Sequence, residues 1–291
     1  MINQLRLGAL FLLGGEALLA IMGAMIKHFS DTLSTEQIVF FRNAFGLLVL
    51  LPLVLRHGIR PLATQVLHWH LFRSLVGIAA MYCYFWALGN MPLTEAFLVN
   101  LSSPLFMPFI AWWWLSEPAG KNSIIALLIG FLGVIFILQP SGDNAMTWVA
   151  LIGLLGAVLA ALARVTIRRM SVTEPSQRIV FYFALIATVI SAIPAALNWQ
   201  PVANELWAPL LLLGLIATLG QLAITKAYRI AEAGKVGVYA YSAVIYGALM
   251  GWYFWQEVPL WTTWAGAALI IGAGILNLRG SRPIPHLPAN R

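Results

Sequence analysis

Long apolar runs separated by short polar turns follow one another along the whole chain. Ten of these runs come close to the roughly 20 residues that a helix needs to cross a bilayer. Their approximate limits are 7–29, 36–55, 69–89, 94–115, 122–138, 146–168, 177–197, 206–228, 237–256 and 259–278. The pattern predicts an all-α membrane protein with ten transmembrane helices, numbered one to ten, and leaves no room for an extramembrane domain.

One stretch of the pattern occurs twice: Ala87 to Glu117 returns in degenerate form, without a gap, as Ala227 to Glu257. Other matches follow at nearly the same offset, such as Gly15 with Gly156; the competing explanation is chance similarity among apolar segments. Each copy contains five spans, an odd number, so the second copy enters the membrane inverted, with substrate sites near the midplane. We expect a first five-helix repeat over 1–140, a second over 141–279 and a disordered tail over 280–291.

Composition and charge agree with a polytopic membrane protein. The chain is 61% hydrophobic and 9% charged, whereas soluble domains carry about 25% charged residues. Fifteen of the 17 lysines and arginines fall on the side of the N-terminus, leaving Lys27 on the other side and Arg42 within helix two. This bias predicts a multi-pass inner-membrane protein with both termini in the cytoplasm. It also accounts for the net charge of +7, so nucleic acid is not an expected partner.

Helix four contains two internal prolines, Pro104 and Pro108. Each proline removes a backbone donor and frees a carbonyl that lipid cannot satisfy. We therefore expect helix four to be bent and to face protein or water at that depth. Helix nine has Val244 at the position of Pro104 and is expected to be straighter.

Several short motifs also occur in a fixed order. They are FFR in helix two, an arginine opening helix three followed by YFWAL, LTEAFLVNLSSP in helix four, and the closing turns LSEP and WQEVP. Together with ten spans in two repeats, they resemble the EamA-type members of the drug/metabolite transporter superfamily over about residues 7–278. The resemblance implies secondary transport of small metabolites, often amino acids or their derivatives, by alternating access. It also implies a cavity lined by both halves, with helices five and ten at the periphery.

Glu16 is the first candidate for function. It lies about 14 Å into helix one, near the bilayer centre, at 1.5 Å per residue. A charged carboxylate at that depth costs about 2.5 to 3.5 kcal/mol, so it must face protein and be either paired or protonated. Its repeat mate is Ala157, so the charge is not part of the repeated framework. We expect a proton-coupling site or a counter-ion for a substrate amine; the alternative is a structural hydrogen bond between helices.

Arg42 and its neighbour Asn43 form the second candidate, about two turns inside helix two. The planar guanidinium of Arg42 suits a substrate carboxylate. The alternatives are snorkelling to the surface or a structural ion pair with Glu16 or Glu36. If both Glu16 and Arg42 serve the substrate, a zwitterion is the natural fit. If they pair with each other, the argument for amino acids loses its main support.

Polar and aromatic side chains on four more helices complete the predicted substrate site. They are Tyr82 and Trp86 in helix three, Asn100 and Ser103 in helix four, Gln221 in helix eight, and Tyr239 and Tyr246 in helix nine. An aromatic face opposite a polar one suits an amphiphilic solute. The repeat maps Asn100 and Ser103 onto Ala240 and Ala243, not onto the tyrosines, so one of these facing assignments is about 100° off. Trp86 alternatively belongs to an aromatic belt at the interface.

Two glutamates, Glu117 and Glu257, close the two copies of the repeat and are predicted gate or cap residues at opposite faces. Three histidines, His57, His68 and His70, lie in a basic loop without carboxylates, so no metal is expected. The sequence contains no nucleotide-binding or hydrolase motif, and no cofactor is indicated.

Helix ten has glycines at 266, 272 and 274, which a homodimer contact and packing within the monomer explain equally well. The sequence as a whole predicts a secondary transporter, not an enzyme. Its expected partners are a small amphiphilic substrate, such as an amino acid or S-adenosylmethionine, and the lipid bilayer. One rival is an intramembrane enzyme, which would need several ionisable groups at one depth. Another is a non-transporting membrane sensor or assembly protein, which should carry a soluble output domain.

Overall fold

The computed structural model of the protein describes residues 2–55, 62–115, 121–138, 144–170, 173–230 and 237–280. Helices α1 to α10, numbered as the predicted spans, have the limits α1 Ile2–Phe29, α2 Thr35–Leu55, α3 Leu67–Asn90, α4a Leu93–Asn100, α4b Ser103–Leu115, α5 Lys121–Leu138, α6 Asn144–Met170, α7 Ser176–Leu197, α8 Trp207–Ile230, α9 Ser242–Trp255 and α10 Trp261–Gly280. Short 3₁₀ helices cover Asn204–Leu206 and Gly237–Tyr241. The predicted all-α architecture is confirmed.

The apolar character of these helices suits a bilayer. Six described helical stretches are long and apolar enough to cross a membrane, and two shorter apolar helices cover Ile124–Phe136 and Trp261–Leu276. Contacts at helix ends define two faces of the bundle. We call the face where α1 begins the N-terminal face and the face where α1 ends the opposite face. Lys27, near the end of α1, contacts residues at the ends of α3 and α9, so these three helices end together.

Helix packing repeats between the two halves of the chain. Helix α1 lies along α8, and α6 lies along α3, which is the same pairing with the halves exchanged. A Cβ added to Gly15 would lie 3.1 Å from the Gly220 carbonyl oxygen, and one added to Gly156 would lie 3.3 Å from the Ala80 carbonyl oxygen. Gly220 and Ala80 are themselves matched positions of the repeat. The repeat seen in the sequence is therefore also a repeat of close helix contacts.

The fourth span is broken at Leu101 and Ser102, between α4a and α4b. Pro104 has no N–H, so it cannot donate to the carbonyl of Asn100 as a helix requires. The Ser102 hydroxyl donates to the Val99 carbonyl oxygen at 2.6 Å across the break. The helix is therefore interrupted beside Pro104, whereas Pro108 lies inside the continuous helix α4b.

The ninth span also changes conformation at the corresponding point. A 3₁₀ helix covers Gly237–Tyr241, and the α-helix begins at Ser242, the repeat mate of Ser102. Val244 therefore does not make this span a continuous α-helix. The 3₁₀ helix leads into α9 without an intervening turn, unlike the fourth span, and the expectation of a straighter ninth span stays a prediction.

Helices α5 and α10 pack closely against each other. A Cβ on Gly133 would lie 2.8 Å from the Gly266 carbonyl oxygen, and Gly274 packs against the Tyr241 ring. These two glycines of α10 therefore serve packing within the chain, whereas Gly272 has open space beside it. Large apolar side chains of α5 are exposed, Leu128 at 62% among them, as expected of a helix at the periphery.

Candidate functional site

A carboxylate on α1 and an arginine on α6, from different halves of the chain, interact electrostatically. Glu16 is half-buried in the middle of α1. The positive charge of Arg164, on α6, acts on Glu16, and the charge of Glu16 acts in turn on Tyr84 of α3. Arg164 Nη1 also donates to the Ser103 hydroxyl oxygen at 2.8 Å, and Ser103 is fully buried. Arg164, which is exposed and was not predicted as a site residue, therefore interacts with both Glu16 and Ser103.

Arg42 lies deep between helices, with only 6% of its surface exposed. Its Nη1 donates to the Asn43 carboxamide oxygen at 2.9 Å, and Asn43 Nδ2 donates to the Val39 carbonyl oxygen at 2.8 Å. Across the described residues, the ion pairs do not include Arg42. Snorkelling and a structural bridge to Glu16 or Glu36 are therefore wrong, and Arg42 remains separate from Glu16.

A second arginine, Arg73 on α3, is half-buried. Its guanidinium carbon lies 4.0 Å from the centre of the Phe183 ring, and the charge of Arg42 acts on it. Its Nε and Nη1 atoms are buried and lack hydrogen-bond partners among the described residues. Charge counting had placed Arg73 with the cytoplasmic residues; its side chain instead lies inside the bundle.

Sequence reasoning missed Arg73 and Arg164 because charge counting assigned both to the side of the N-terminus. A signal was nevertheless available. At the offsets of the repeat, Arg73 corresponds to Leu213 or Gly214, and Arg164 to Gly23. Arg73 and Arg164 are therefore charged residues whose repeat mates are uncharged. Glu16 was selected because its own repeat mate is uncharged.

The aromatic candidates divide into buried and exposed ones. Tyr82, Trp86 and Tyr246 are half-buried and pack against the main apolar core, and the Tyr82 hydroxyl has no hydrogen-bond partner among the described residues. Tyr239 is 39% exposed, whereas Tyr241 is buried. Helical spacing had placed Tyr239 and Tyr246 on one face, but the 3₁₀ turn before Ser242 has 3.0 residues per turn and changes the register. The prediction that Tyr239 and Tyr246 share one helix face is therefore wrong.

The remaining polar candidates lie on both halves of the bundle. Asn100, the last residue of α4a, and Gln221, on α8, are both half-buried. Ala243, which corresponds to Ser103 in the other half, is also buried, at 3%. The repeat register, rather than the tyrosine spacing, therefore identifies the inward face at the start of α9.

A polar network closes the opposite face. Lys27 Nζ lies 2.8 Å from Glu257 Oε1, and the two side chains are 12% and 18% exposed. Lys27 Nζ also donates to the Met91 carbonyl oxygen, and the Leu93 amide donates to Glu257 Oε2, both at 2.8 Å. These four residues, which we call the latch, connect α1, the turn between α3 and α4a, and the end of α9. The other predicted gate residue, Glu117, lies outside the described residues.

A second network connects the two halves at the N-terminal face. Glu174 is buried and accepts hydrogen bonds from His70 Nε2 at 3.2 Å, Arg178 Nη1 at 3.1 Å and the Thr64 hydroxyl at 3.1 Å. Burial opposes ionisation of this carboxyl, but these donors outweigh it and hold the pKa of Glu174 below its usual range. The expectation that the histidines lie in a loop far from carboxylates is therefore wrong for His70.

Of the two other histidines, the structure describes only His68. His68 is exposed on α3, and His57 lies outside the described residues. Within the described ranges, no three His, Cys, Asp or Glu side chains are grouped as metal ligands require.

Ten helices in two matched halves, with ionisable side chains inside the bundle and polar networks at both faces, define a membrane transporter. The chain belongs to the EamA-like transporter family, whose model matches it twice, at residues 6–139 and 147–279. The resemblance noted in the motifs is confirmed, and the protein is a multi-pass membrane transporter of a small molecule.

Similar proteins have transporter names. A pseudopaline exporter of Pseudomonas aeruginosa is 34% identical over 94% of this chain and 96% of its own. A riboflavin transporter of Vibrio cholerae is 29% identical, with 91% and 90% covered. An S-adenosylmethionine uptake transporter of Rickettsia bellii is also 29% identical, with 86% and 85% covered. One solved crystal structure shares the fold, with a TM-score of 0.63 at 21% identity over 91% of this chain and 94% of that chain.

Proposed function

We propose that this protein is a secondary active transporter of a small amphiphilic metabolite, an amino acid or an amino-acid derivative such as S-adenosylmethionine. The observation that carries the proposal is the centre formed by Glu16, Arg164 and Ser103. An ionisable carboxylate inside a transmembrane helix is costly, and such groups mark substrate or proton pathways. Three helices from both halves supply this centre, as expected of a site between inverted repeats.

The transporter works by alternating access in the inner membrane, with both termini in the cytoplasm. The excess of lysine and arginine towards the N-terminal face makes that face the cytoplasmic one. The latch then closes the outer side, and the Glu174 network connects the halves on the inner side. Each network joins a residue of the first half to a residue of the second. Breaking one network while the other persists opens the centre to one side at a time.

Glu16 couples transport to protons in this proposal. When Glu16 is ionised, its charge interacts with Arg164; when it is protonated, that interaction is lost and the arginine becomes available to the solute. The carboxylate also suits the amine of an amino acid. Substrate amine and proton therefore compete for one group, which is the requirement for exchange between them.

The test is uptake into proteoliposomes of radiolabelled S-adenosylmethionine and a panel of amphiphilic amino acids, with and without a pH gradient. Glu16→Gln should abolish gradient-driven accumulation while leaving counterflow, because the neutral side chain still fits but carries no exchangeable proton. The matched control is Glu205→Gln, an exposed carboxylate in the turn before α8. Equal accumulation by wild type and Glu16→Gln would refute the coupling role. No transport of any compound in the panel would refute the substrate class.

A further inference from the structure

The ring of Phe97 fills a slot between two glycines of other helices. Phe97 lies in α4a and is 4% exposed. A Cβ added to Gly23 of α1 would lie 2.8 Å from Phe97 Cζ, and one added to Gly247 of α9 would lie 2.5 Å from Phe97 Cδ2. Both distances are shorter than the roughly 3.5 Å at which carbon atoms pack. A side chain at either glycine would therefore displace the ring.

The slot formed by Gly23 and Gly247 lies one helical turn inside the latch. Gly23 precedes Lys27 by about 6 Å along α1 and follows Glu16 by about 10 Å, at 1.5 Å per residue. On α4a, Phe97 lies one turn beyond Leu93, whose amide belongs to the latch. The ring is therefore placed, in depth, between the latch and Glu16.

The surroundings of the Phe97 ring are apolar. The ring packs in the main apolar core, which also contains Ala20 of α1 and Ala243 of α9. The Tyr84 ring of α3 meets it in an edge-to-face arrangement, with 6.4 Å between the ring centres. Hydrophobic constrictions close pathways by excluding water. The ring therefore adds an apolar layer beneath the polar latch.

The helix that carries the ring is short and bounded at both ends. Helix α4a covers Leu93–Asn100 and follows Pro92, and the break at Leu101 and Ser102 separates it from α4b. Element ends of this kind absorb the backbone rotations of hinge motions. Only α4a needs to move for the ring to leave the slot.

The slot belongs to one face of the transporter only. At the offsets of the repeat, Phe97 corresponds to Gly237, and Gly23 corresponds to Arg164. The second half therefore has neither the ring nor a glycine at the matching positions. The repeated framework does not account for this contact, so we look to a role at the opposite face alone.

We propose that Phe97 is an apolar plug that closes the outer side beneath the latch, with Gly23 and Gly247 as its slot. The inference rests on the proposed transport function and adds a second layer to its outer closure. When the latch opens, α4a moves away from α1 and α9, and the ring leaves the slot. The interior around Glu16 is then connected to the outer solution.

The test measures cysteine labelling of the purified full-length protein in detergent. Cys83→Ser removes the native thiol, and Ala20→Cys, at a position 0% exposed on α1, reports on the space inside the slot. Phe97→Ala should raise the rate of labelling by a charged maleimide roughly 10- to 100-fold, which corresponds to the burial of one phenylalanine side chain. Gly247→Ala should also raise it, because the added Cβ takes the place of the ring. Unchanged labelling in both variants would overturn the proposal.

A second reporter separates a plug from ordinary core packing. Ala163→Cys, at a position 8% exposed on α6, lies about two turns from the N-terminal face. It should label no faster when Phe97→Ala is added. Equal acceleration at both reporters would indicate a general loosening of the bundle and would overturn the proposal. Gly14→Ala is the control for Gly247→Ala, because its Cβ would have nothing within 4 Å; it should leave labelling at the inner reporter unchanged.

Combined and milder variants test whether ring and slot act as one unit. Phe97→Ala together with Gly247→Ala should label no faster than Phe97→Ala alone, because the added methyl group enters the space that the ring has left. Rates that multiply would show two independent defects and would contradict the proposal. Phe97→Leu keeps a smaller apolar side chain and should give a smaller increase than Phe97→Ala, so the test remains decisive if the alanine variant does not fold.

Uptake measurements distinguish this proposal from the broader one. If wild-type proteoliposomes transport a compound of the panel but labelling is unchanged in the variants, the plug fails and the transport function stands. If the variants open the outer side as expected but no compound of the panel is transported, the substrate class fails and the plug stands.

Discussion

Breaking the latch at the opposite face should open that side of the transporter. The change to make is Lys27→Met, which keeps an apolar stem of similar length and removes the charge. Lys27 Nζ lies 2.8 Å from both Glu257 Oε1 and the Met91 carbonyl oxygen. The variant therefore loses both contacts and leaves Glu257 with the Leu93 amide as its described partner.

The size of the effect follows from the burial of the pair. Exposed ion pairs contribute about 0.2 to 1 kcal/mol, whereas breaking a fully buried one costs about 3 to 5 kcal/mol. At 12% and 18% exposure, the latch lies between these limits, at about 2 kcal/mol. Since about 1.4 kcal/mol corresponds to a factor of ten, the fraction of molecules open at this face should rise about 30-fold.

Cysteine labelling measures that fraction. Cys83 is the single cysteine of the chain, so Cys83→Ser gives a background without thiols. Ala96, 1% exposed on α4a, lies one turn beyond Leu93 and serves as a reporter as Ala96→Cys. A membrane-impermeant maleimide should label this cysteine up to about 30 times faster when Lys27→Met is added.

Two further labelling results are expected if Lys27 and Glu257 act together. Glu257→Gln should give a similar acceleration, and the double variant should label no faster than the faster single variant, because the two residues act as one unit. Lys121→Met, at an exposed lysine where α5 begins, is the control and should label like the parent. Unchanged labelling in both single variants, or strictly additive effects, would show that the latch does not control this face.

Two other predictions concern packing and pH. Gly15→Ala should lower the stability of the protein in detergent by about 1 to 3 kcal/mol, because the added Cβ would lie 2.7 Å from Ile224 Cγ1. Gly14→Ala is the control and should be neutral or stabilising, because its added Cβ would have nothing within 4 Å. Equal melting temperatures of the two variants would contradict the contact between α1 and α8. Glu174→Gln should lower the melting temperature at neutral pH, and the difference from wild type should shrink as the pH falls below 4.5. The reason is that the pKa of Glu174 is lower in the folded protein than in the unfolded chain. The carboxylate therefore stabilises the fold above its unfolded pKa, and this contribution is lost as the pH falls through its folded pKa. A difference that stays constant down to pH 3.5 would contradict the ionised network.

The sequence predicted the fold because membrane insertion depends on local composition. A helix in lipid satisfies its own backbone, so a sufficiently long apolar run specifies a span almost by itself. The break in the fourth span was equally local, because Pro104 acts on its own helix. The comparable break before Ser242 has no proline and was missed. The exposure of Tyr239 depends on that break, so its position could not be predicted from helical spacing.

The position of a charged residue along its helix does not by itself decide where its side chain lies. Glu16 lies in the middle of α1, so its depth identified it as a candidate. Arg42, Arg73 and Arg164 all lie about two turns from the end of their helices, yet charge counting placed only Arg42 within a helix. A long side chain extends several ångströms along the helix in either direction, and only the neighbouring helices decide which. For Arg73 that neighbour is Phe183 on α7, which belongs to the other half of the chain.

The sequence by itself therefore determined the number of spans, their repetition, the bend at Pro104 and the unrepeated charges Glu16 and Arg42. The tertiary structure alone decided which charges meet. Glu16 interacts electrostatically with Arg164, Lys27 pairs with Glu257, and His70 pairs with Glu174. The physical reason is that apolar surface drives each helix into the bilayer one at a time, whereas an ion pair requires two helices distant in sequence to bring their side chains within a few ångströms.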